Sequence, residues 1–308
     1  MISVRNLRVD YDTTCAVNDL SFDIRPGETY GLIGPNGAGK TSTLRALAGL
    51  LQPTYGQILI DGVDMLIDRE KAQQKMGFMP DFPPLYDDLL VWEFLDLFAA
   101  SYSIPKAERP AAIEANLGQV ELTGKRASMC KELSRGMRQR LMLAKTLLPS
   151  PAFLLLDEPA SGLDPHGRTS LKDILKRFTA QGGAVLISSH VLAEMNDYCT
   201  AVGIMQRGKM VVSGSLEEVA QRVGRPDVLL VEVVSGEDIL AQLVADRGNG
   251  PAVHKGGANW EVPFDGDRDT AADLLAEAVA RGVRIASFAP RRDTLEDLFM
   301  QVGAKEVS

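Results

Sequence analysis

Residues 34–41 read G-P-N-G-A-G-K-T, which fits G-x-x-x-x-G-K-S/T, a spacing suited to holding phosphate. The glycines let successive backbone N–H groups turn inward onto phosphate oxygens, and a following helix adds the partial positive charge of its N-terminus. Lys40 can then reach the outer two phosphates of a nucleoside triphosphate, and the Thr41 hydroxyl can ligate Mg²⁺. Asn36, Gly37, Ala38, Gly39, Lys40, Thr41 and Ser42 are thus expected to cradle the nucleotide. A second stretch, residues 153–159, reads F-L-L-L-D-E-P, an apolar run ending in two adjacent carboxylates. Alone, such acids could be a solvated turn. Beside a phosphate loop they make a hydrolysis site, with Asp157 holding Mg²⁺ and Glu158 positioning a water as general base.

The elements that must carry these groups follow from hydrophobic patterning. Tyr30 to Ile33 reads as a short buried strand, the glycine loop follows, and Thr41 to Leu51 is a helix with Leu44, Leu47, Ala48 and Leu51 on one face. Ahead of it, Ile2 to Thr29 alternates in short segments with turn signals at Asn18-Asp19 and Pro26-Gly27, which implies antiparallel strands. A hairpin is expected at Gly56 to Gly62 and helices at Val91 to Ala100 and Ala111 to Val120, before Phe153 to Leu156, Ala184 to Ser188 and Ala201 to Met205 resume as buried strands around a helix at Leu171 to Thr179. That is the alternation of a mostly parallel sheet. From Val228 a second unit begins: strand to Val234, helix at Asp238 to Ala245, a glycine-rich connection at Gly248 to Gly257, strand Trp260 to Phe264, helix Thr270 to Arg281, strand Val283 to Phe288, and a closing helix at Leu295 to Gln301.

Residues 133–140 read L-S-R-G-M-R-Q-R and open a helix with Ser134 as N-cap and Gly136 allowing close backbone approach. A capped helix is one reading and a second anion site the other. The segment resembles the L-S-G-G-Q signature of ATP-binding cassette ATPases, and from Met1 to about Gly214 the other motifs of that family appear in order. Ser161 to Asp164 looks like its D-loop, and His190 like its switch histidine. Tyr11 lies where the family stacks an aromatic ring on adenine, with Val17 beside it in the nucleotide-binding set. The resemblance implies an α/β fold: a P-loop NTPase core with antiparallel β and helical subdomains over residues 1–222, plus a small C-terminal α+β domain over 226–308. It implies ATP and Mg²⁺ as cofactors, with Glu158, His190 and Lys40 catalytic, Ser134 and Gly136 docking on the γ-phosphate held by a second copy, and Thr41, Asp157 and Asp81 as metal-side residues. The partners it implies are that second copy and an integral membrane permease, which would hold the chain on the inner face of the cell membrane.

Two departures from the family pattern stand out. The signature form is similar to ATPase subunits that export drugs, polysaccharides or lipids, and the segment Thr294 to Met300 is similar to the closing helix of such subunits. At Phe78-Met-Pro-Asp81-Phe82 an aspartate stands where the family has a glutamine. It could ligate Mg²⁺ directly, or disfavour the triphosphate in the absence of metal. The aromatic stretch Pro83 to Phe94 is read mainly as internal packing and partly as a docking groove for the membrane partner.

Composition excludes several alternatives. A net charge of -8 argues against a broad basic face for nucleic acid. Cys15, Cys130 and Cys199 have no metal-ligand spacing and read as buried or incidental thiols. Met1 to Asp10 lacks the apolar run of a signal peptide, and no stretch approaches the roughly 18 apolar residues of a spanning helix. A soluble cassette ATPase acting on DNA or ribosomes would need a long coiled coil or a second cassette, and neither pattern occurs. A regulatory subunit that only binds nucleotide fits poorly with Glu158.

Overall fold

The computed structural model describes the chain apart from residues 82–84, 192–194, 196, 217, 220–226, 249, 265–267 and 291–308. The expected closing helix, the expected boundary near 223–226, and Phe82 together with Pro83 and Pro84 of the aromatic stretch therefore lie outside the described residues. The chain divides into two units, Met1–Val219 and Ala220–Ser308.

In the first unit the order is β1 (Ile2–Tyr11), β2 (Thr14–Ile24), β3 (Thr29–Ile33), α1 (Lys40–Leu47), β4 (Tyr55–Ile60), β5 (Val63–Asp64), α2 (Arg69–Gln73) and β6 (Met76–Met79). There follow α3 (Val91–Ser101), α4 (Arg109–Gln119), α5 (Arg135–Leu147), β7 (Phe153–Asp157), α6 (Pro165–Ala180), β8 (Ala184–Ser189), β9 (Ala201–Gln206) and β10 (Lys209–Ser215). The principal sheet runs β10-β9-β3-β8-β7-β6 and is parallel except for β10. Every residue of β3, β7 and β8 is buried, which is why these strands read as unbroken apolar runs. A second sheet, β2-β1-β4-β5, is antiparallel and half-buried, so its strands alternate. Its inward residues join α1 and the inner strands in one core that includes Ile2, Leu20, Leu44, Ile60 and Leu155.

The turn expected at Asn18-Asp19 is instead an irregularity inside β2. Asn6 and Asp19 both have left-handed backbone, φ 47° and 57°, and the Asn6 amide donates to the Asp19 carboxylate across the pair at 2.7 Å. The register shifts there without breaking the ladder, and the hairpin turns at Asp12 and Thr13. Asparagine and aspartate tolerate this backbone region, so their presence marks a bulge as readily as a turn.

The second unit runs β11 (Asp227–Ser235), α7 (Glu237–Asp246), β12 (Val253–Gly256), β13 (Asn259–Phe264), α8 (Arg268–Ala280) and β14 (Arg284–Pro290). Its sheet order is β12-β13-β11-β14, with every neighbouring pair antiparallel. This is a split β-α-β arrangement. It has its own core of Leu229, Val231, Leu240, Val262, Leu274 and Val283 among others. Strand β12 lies within the stretch that composition marks as a loose glycine-rich connection.

Candidate functional site

The carboxyl ends of four adjacent parallel strands meet at one cleft, the position where open α/β sheets bind ligands. The phosphate loop leaves β3 at Gly34, Asp157 ends β7 with Glu158 next, His190 follows β8, and Asp81 follows β6. The cleft has a volume of 460 Å³, and its lining includes Asn36 to Ser42, Asp81, Asp157 and Glu158. A larger groove of 820 Å³ is lined by Gln73, Tyr102, Ile104 and Pro149 among others and contains none of these groups.

The loop is built by its neighbours. Gly39 has φ 103°, and a Cβ there would lie 2.3 Å from the Ala16 carbonyl oxygen, so only glycine serves. Lys40, 6% exposed, folds back over the loop and donates to the carbonyls of Gly34 at 2.6 Å and Pro35 at 3.2 Å. Burial lowers its pKa, and the nearby Glu158 and Asp157 oppose that shift. Thr41 donates its hydroxyl to Asp157 Oδ1 at 3.4 Å.

The second acid is aimed by its backbone. Glu158 has φ 49°, an unfavourable setting for a residue with a side chain that costs of order 1–3 kcal/mol and persists where the surroundings enforce it. Enforcement comes from Ser188: the Glu158 N–H donates to the Ser188 carbonyl and to its Oγ, both at 3.2 Å, while that hydroxyl donates to Asp157 Oδ1. One serine thus fixes both acids. The Glu158 carboxylate lies 3.0 Å from His190 Nδ1; the glutamate is largely buried and the histidine half exposed.

Asp81 lines the same cleft, and its Oδ1 is buried without a hydrogen-bond partner among the described residues. Burial first, then the charges of Asp157 and Glu158, push its carboxyl above the usual range; Arg135 and His190 pull the other way. Hydroxyl and carboxylate oxygens with an orphaned lone pair suit a hard cation. Among the described residues no three His, Cys, Asp or Glu side chains form a ready cluster. Mg²⁺ takes one or two carboxylates and completes its shell with waters and substrate phosphates, and Thr41, Asp81 and Asp157 line the cleft with oxygen donors of that kind.

The signature-like segment packs on the loop that follows the acids. Ser134 caps α5 by accepting from the Met137 N–H at 3.3 Å, and Gln139 donates to the Pro159 carbonyl at 3.1 Å. A Cβ on Gly136 would meet Leu163 at an ordinary 3.5 Å, whereas one on Gly162 (φ 71°) would lie 2.4 Å from the Arg135 guanidinium carbon. Asp164 caps α6 by accepting from the Gly167 N–H at 2.8 Å.

Tyr11, 41% exposed, ends β1 with its hydroxyl 3.2 Å from Ser42 Oγ. Val17 is not presented to the cleft: it is fully buried in the core, with a γ-methyl toward Gly39. The cleft-lining residues of β2 are Thr14, Cys15 and Ala16, because strand alternation turns Val17 inward. Cys130 and Cys199 are buried thiols, but Cys15 is exposed. Sequence reasoning missed Ser188 and Gln139. The signal for Ser188 was a polar residue ending an apolar strand beside the His190 motif; Gln139 had none beyond its place on α5.

The chain matches the ABC transporter family over residues 17–161 and the ATP-binding protein DrrA1-3-like C-terminal domain over residues 214–302. It is 34% identical, over 93% of its own length and 78% of the relative's, to an uncharacterized ABC transporter ATP-binding protein of Synechocystis sp.. It is 31% identical to the Nod factor export ATP-binding protein I of Ralstonia nicotianae, covering 100% of this chain and 95% of that one. A solved ATP-binding subunit of an ABC transporter superposes with a TM-score of 0.66 at 30% identity, over 72% of this chain and 92% of that one. The phosphate loop, the paired acids and the sheet that presents them therefore place this chain in the ABC transporter family as an ATP-binding, ATP-hydrolysing subunit.

Proposed function

We propose that this subunit drives export through a separate membrane permease, with two copies closing head to tail around two ATP molecules. The observation that carries the reading is the Glu158–His190 pair at 3.0 Å, set beside Thr41 and Asp157 at the mouth of the phosphate loop. In this reading Lys40 holds the outer phosphates, Asn36 to Ser42 cradle the chain of phosphates, and Tyr11 stacks on adenine. Glu158 takes the proton of the attacking water while His190 steadies the glutamate and senses the γ-phosphate. Thr41, Asp157 and Asp81 would hold Mg²⁺, which supplies charge neutralisation on the phosphoryl oxygens.

Ser134 and Gly136 of one copy would dock on the γ-phosphate bound by the other, at the N-terminus of α5. Release of that contact after hydrolysis lets the copies part, so differential binding of ATP and ADP becomes motion. Residues 1–222 would do this work, with 226–308 as an accessory domain. Export is favoured by the relative named for Nod factor export and by the signature form. Among the described residues no helix is long and apolar enough to cross a membrane, so attachment to the inner face of the membrane is assigned to the permease. No nucleic-acid partner is proposed.

The test is Glu158→Gln in the purified chain. Turnover should fall about 100-fold or more, ATP binding should persist, and ATP should now hold two copies together in size-exclusion chromatography. Wild-type turnover in that variant would overturn the assignment of the base; an inactive variant that stays monomeric with ATP would overturn the head-to-tail reading.

A further inference from the structure

The turn joining β9 to β10 is Arg207-Gly208, and both residues have left-handed backbone, φ 47° and 80°. A two-residue hairpin turn of this kind favours asparagine, aspartate or glycine at its first position. Arginine there opposes the local preference, and such conflicts gather at functional sites. The turn is tied to the phosphate loop rather than hanging free. The Gly208 N–H donates to the Ala38 carbonyl at 3.0 Å, the Asn18 N–H donates to the Gly208 carbonyl at 2.7 Å, and a Cβ on Gly208 would lie 2.8 Å from the Ala16 carbonyl oxygen.

This anchoring holds the Arg207 backbone at a fixed offset from the loop, and the residue lines the same cleft as Asn36, Gly37 and Lys40. Arg207 is exposed, and among the described residues nothing accepts from or pairs with its guanidinium. Lys40 differs, being engaged by two carbonyls. Lys209, two positions along the same hairpin, lines a separate hollow with Asn6 and Tyr55. One cation of the hairpin thus faces the anion-binding loop, and the other does not.

We infer that Arg207 is a further nucleotide-binding residue, donating from the wall of the cleft to oxygens of the phosphate chain. The inference rests on the cleft being the ATP site. A planar, permanently charged donor with five N–H groups suits phosphate oxygens. No step of hydrolysis is assigned to it: binding at this wall acts on affinity and leaves the Glu158–His190 pair untouched.

The experiment is equilibrium binding of a fluorescent ADP to the full chain at fixed ionic strength, with inorganic tripolyphosphate as competitor. Arg207→Ala should weaken both ligands about five- to tenfold, the size of one solvent-screened, charge-assisted hydrogen bond. Arg207→Gly, which removes the side chain and relieves the backbone, should do the same while folding at least as well. Arg207→Lys should recover part of the loss, and Lys209→Ala should stay within about twofold of wild type.

The inference is overturned by unchanged ADP affinity in Arg207→Ala and Arg207→Gly. An equal loss in Lys209→Ala overturns it too, since that marks a general surface-charge effect. So does weaker ADP binding with unaltered tripolyphosphate competition, which marks a contact to base or ribose. Lys40→Ala separates the two claims: it should abolish binding, and if it does not, the assignment of the cleft itself fails whatever Arg207 does.

Discussion

Asp81 sits where its charge is least welcome, beside Asp157 and Glu158 and with one buried oxygen unpartnered among the described residues. Its folded-state pKa is raised, so the folded chain holds that proton longer than the unfolded chain does. The stabilising contribution of the protonated form is present at acid pH and lost as pH rises through the raised value; at neutral pH the ionised group is a net cost. Asp81→Asn should therefore raise the melting temperature of the nucleotide-free chain at pH 7, and the gain should shrink as the pH approaches the ordinary carboxylate range. The same change should narrow the difference between ATP affinities measured with Mg²⁺ and with a chelator, because an anion that disfavours bare triphosphate has been removed. Equal affinities with and without Mg²⁺ in the wild type, unaltered in Asp81→Asn, would contradict this account. Lys40, Thr41, Asp157 and Glu158 were legible in the sequence because phosphate chemistry demands those types at fixed spacing from a glycine loop or a strand end. Ser188 was not, because a hydroxyl that aims two acids acts through partners 30 and 31 residues away, and its polar place near the end of an apolar strand does not name those partners. For Val17, position relative to a motif does not say which way a strand residue points: it turns into the core, with a γ-methyl toward Gly39.

At the scale of elements, the start of α5 and the loop after β7 form a small interlocked unit through Arg135 on Gly162 and Gln139 on Pro159. Gly162→Ala must displace the Arg135 guanidinium and adopt an unfavourable backbone, a loss of about 1 kcal/mol or more. Turnover should fall with it, since the same loop continues from Glu158. Arg135→Ala should relieve the clash, so the double variant should be more stable than the sum of the singles by about 0.5–3 kcal/mol in a thermal or urea cycle; strict additivity would show that the two residues do not meet. In the sheet, Leu155→Ala should cost about 2–5 kcal/mol, since Leu155 is fully buried in β7. The buried strands were readable from their apolar runs, and α3 and α4 from helical periodicity. Strand β10 was not, because a half-exposed antiparallel edge carries weak alternation, and α1 ended at Leu47 rather than Leu51 because Gly49, with φ 69°, closes the helix.

Among the described residues one hydrophobic core draws on residues 2–205 and another on residues 229–283, so each unit has a core of its own. A chain ending at Val219 should bind ATP within about twofold of the full chain, checked by equilibrium binding; a loss of more than that would assign the second unit a part in the nucleotide site. The split β-α-β layout of that unit was foreshadowed by its alternating elements, except for β12, whose run V-H-K-G looks like a linker. The head-to-tail motor is tested most directly by the rate of ATP hydrolysis as a function of protein concentration, since a site completed by Ser134 and Gly136 of a second copy forms only on association. The account predicts a rate that rises more steeply than linearly in the wild type and vanishes in Glu158→Gln. A strictly linear rate at concentrations where the chain is monomeric would contradict it.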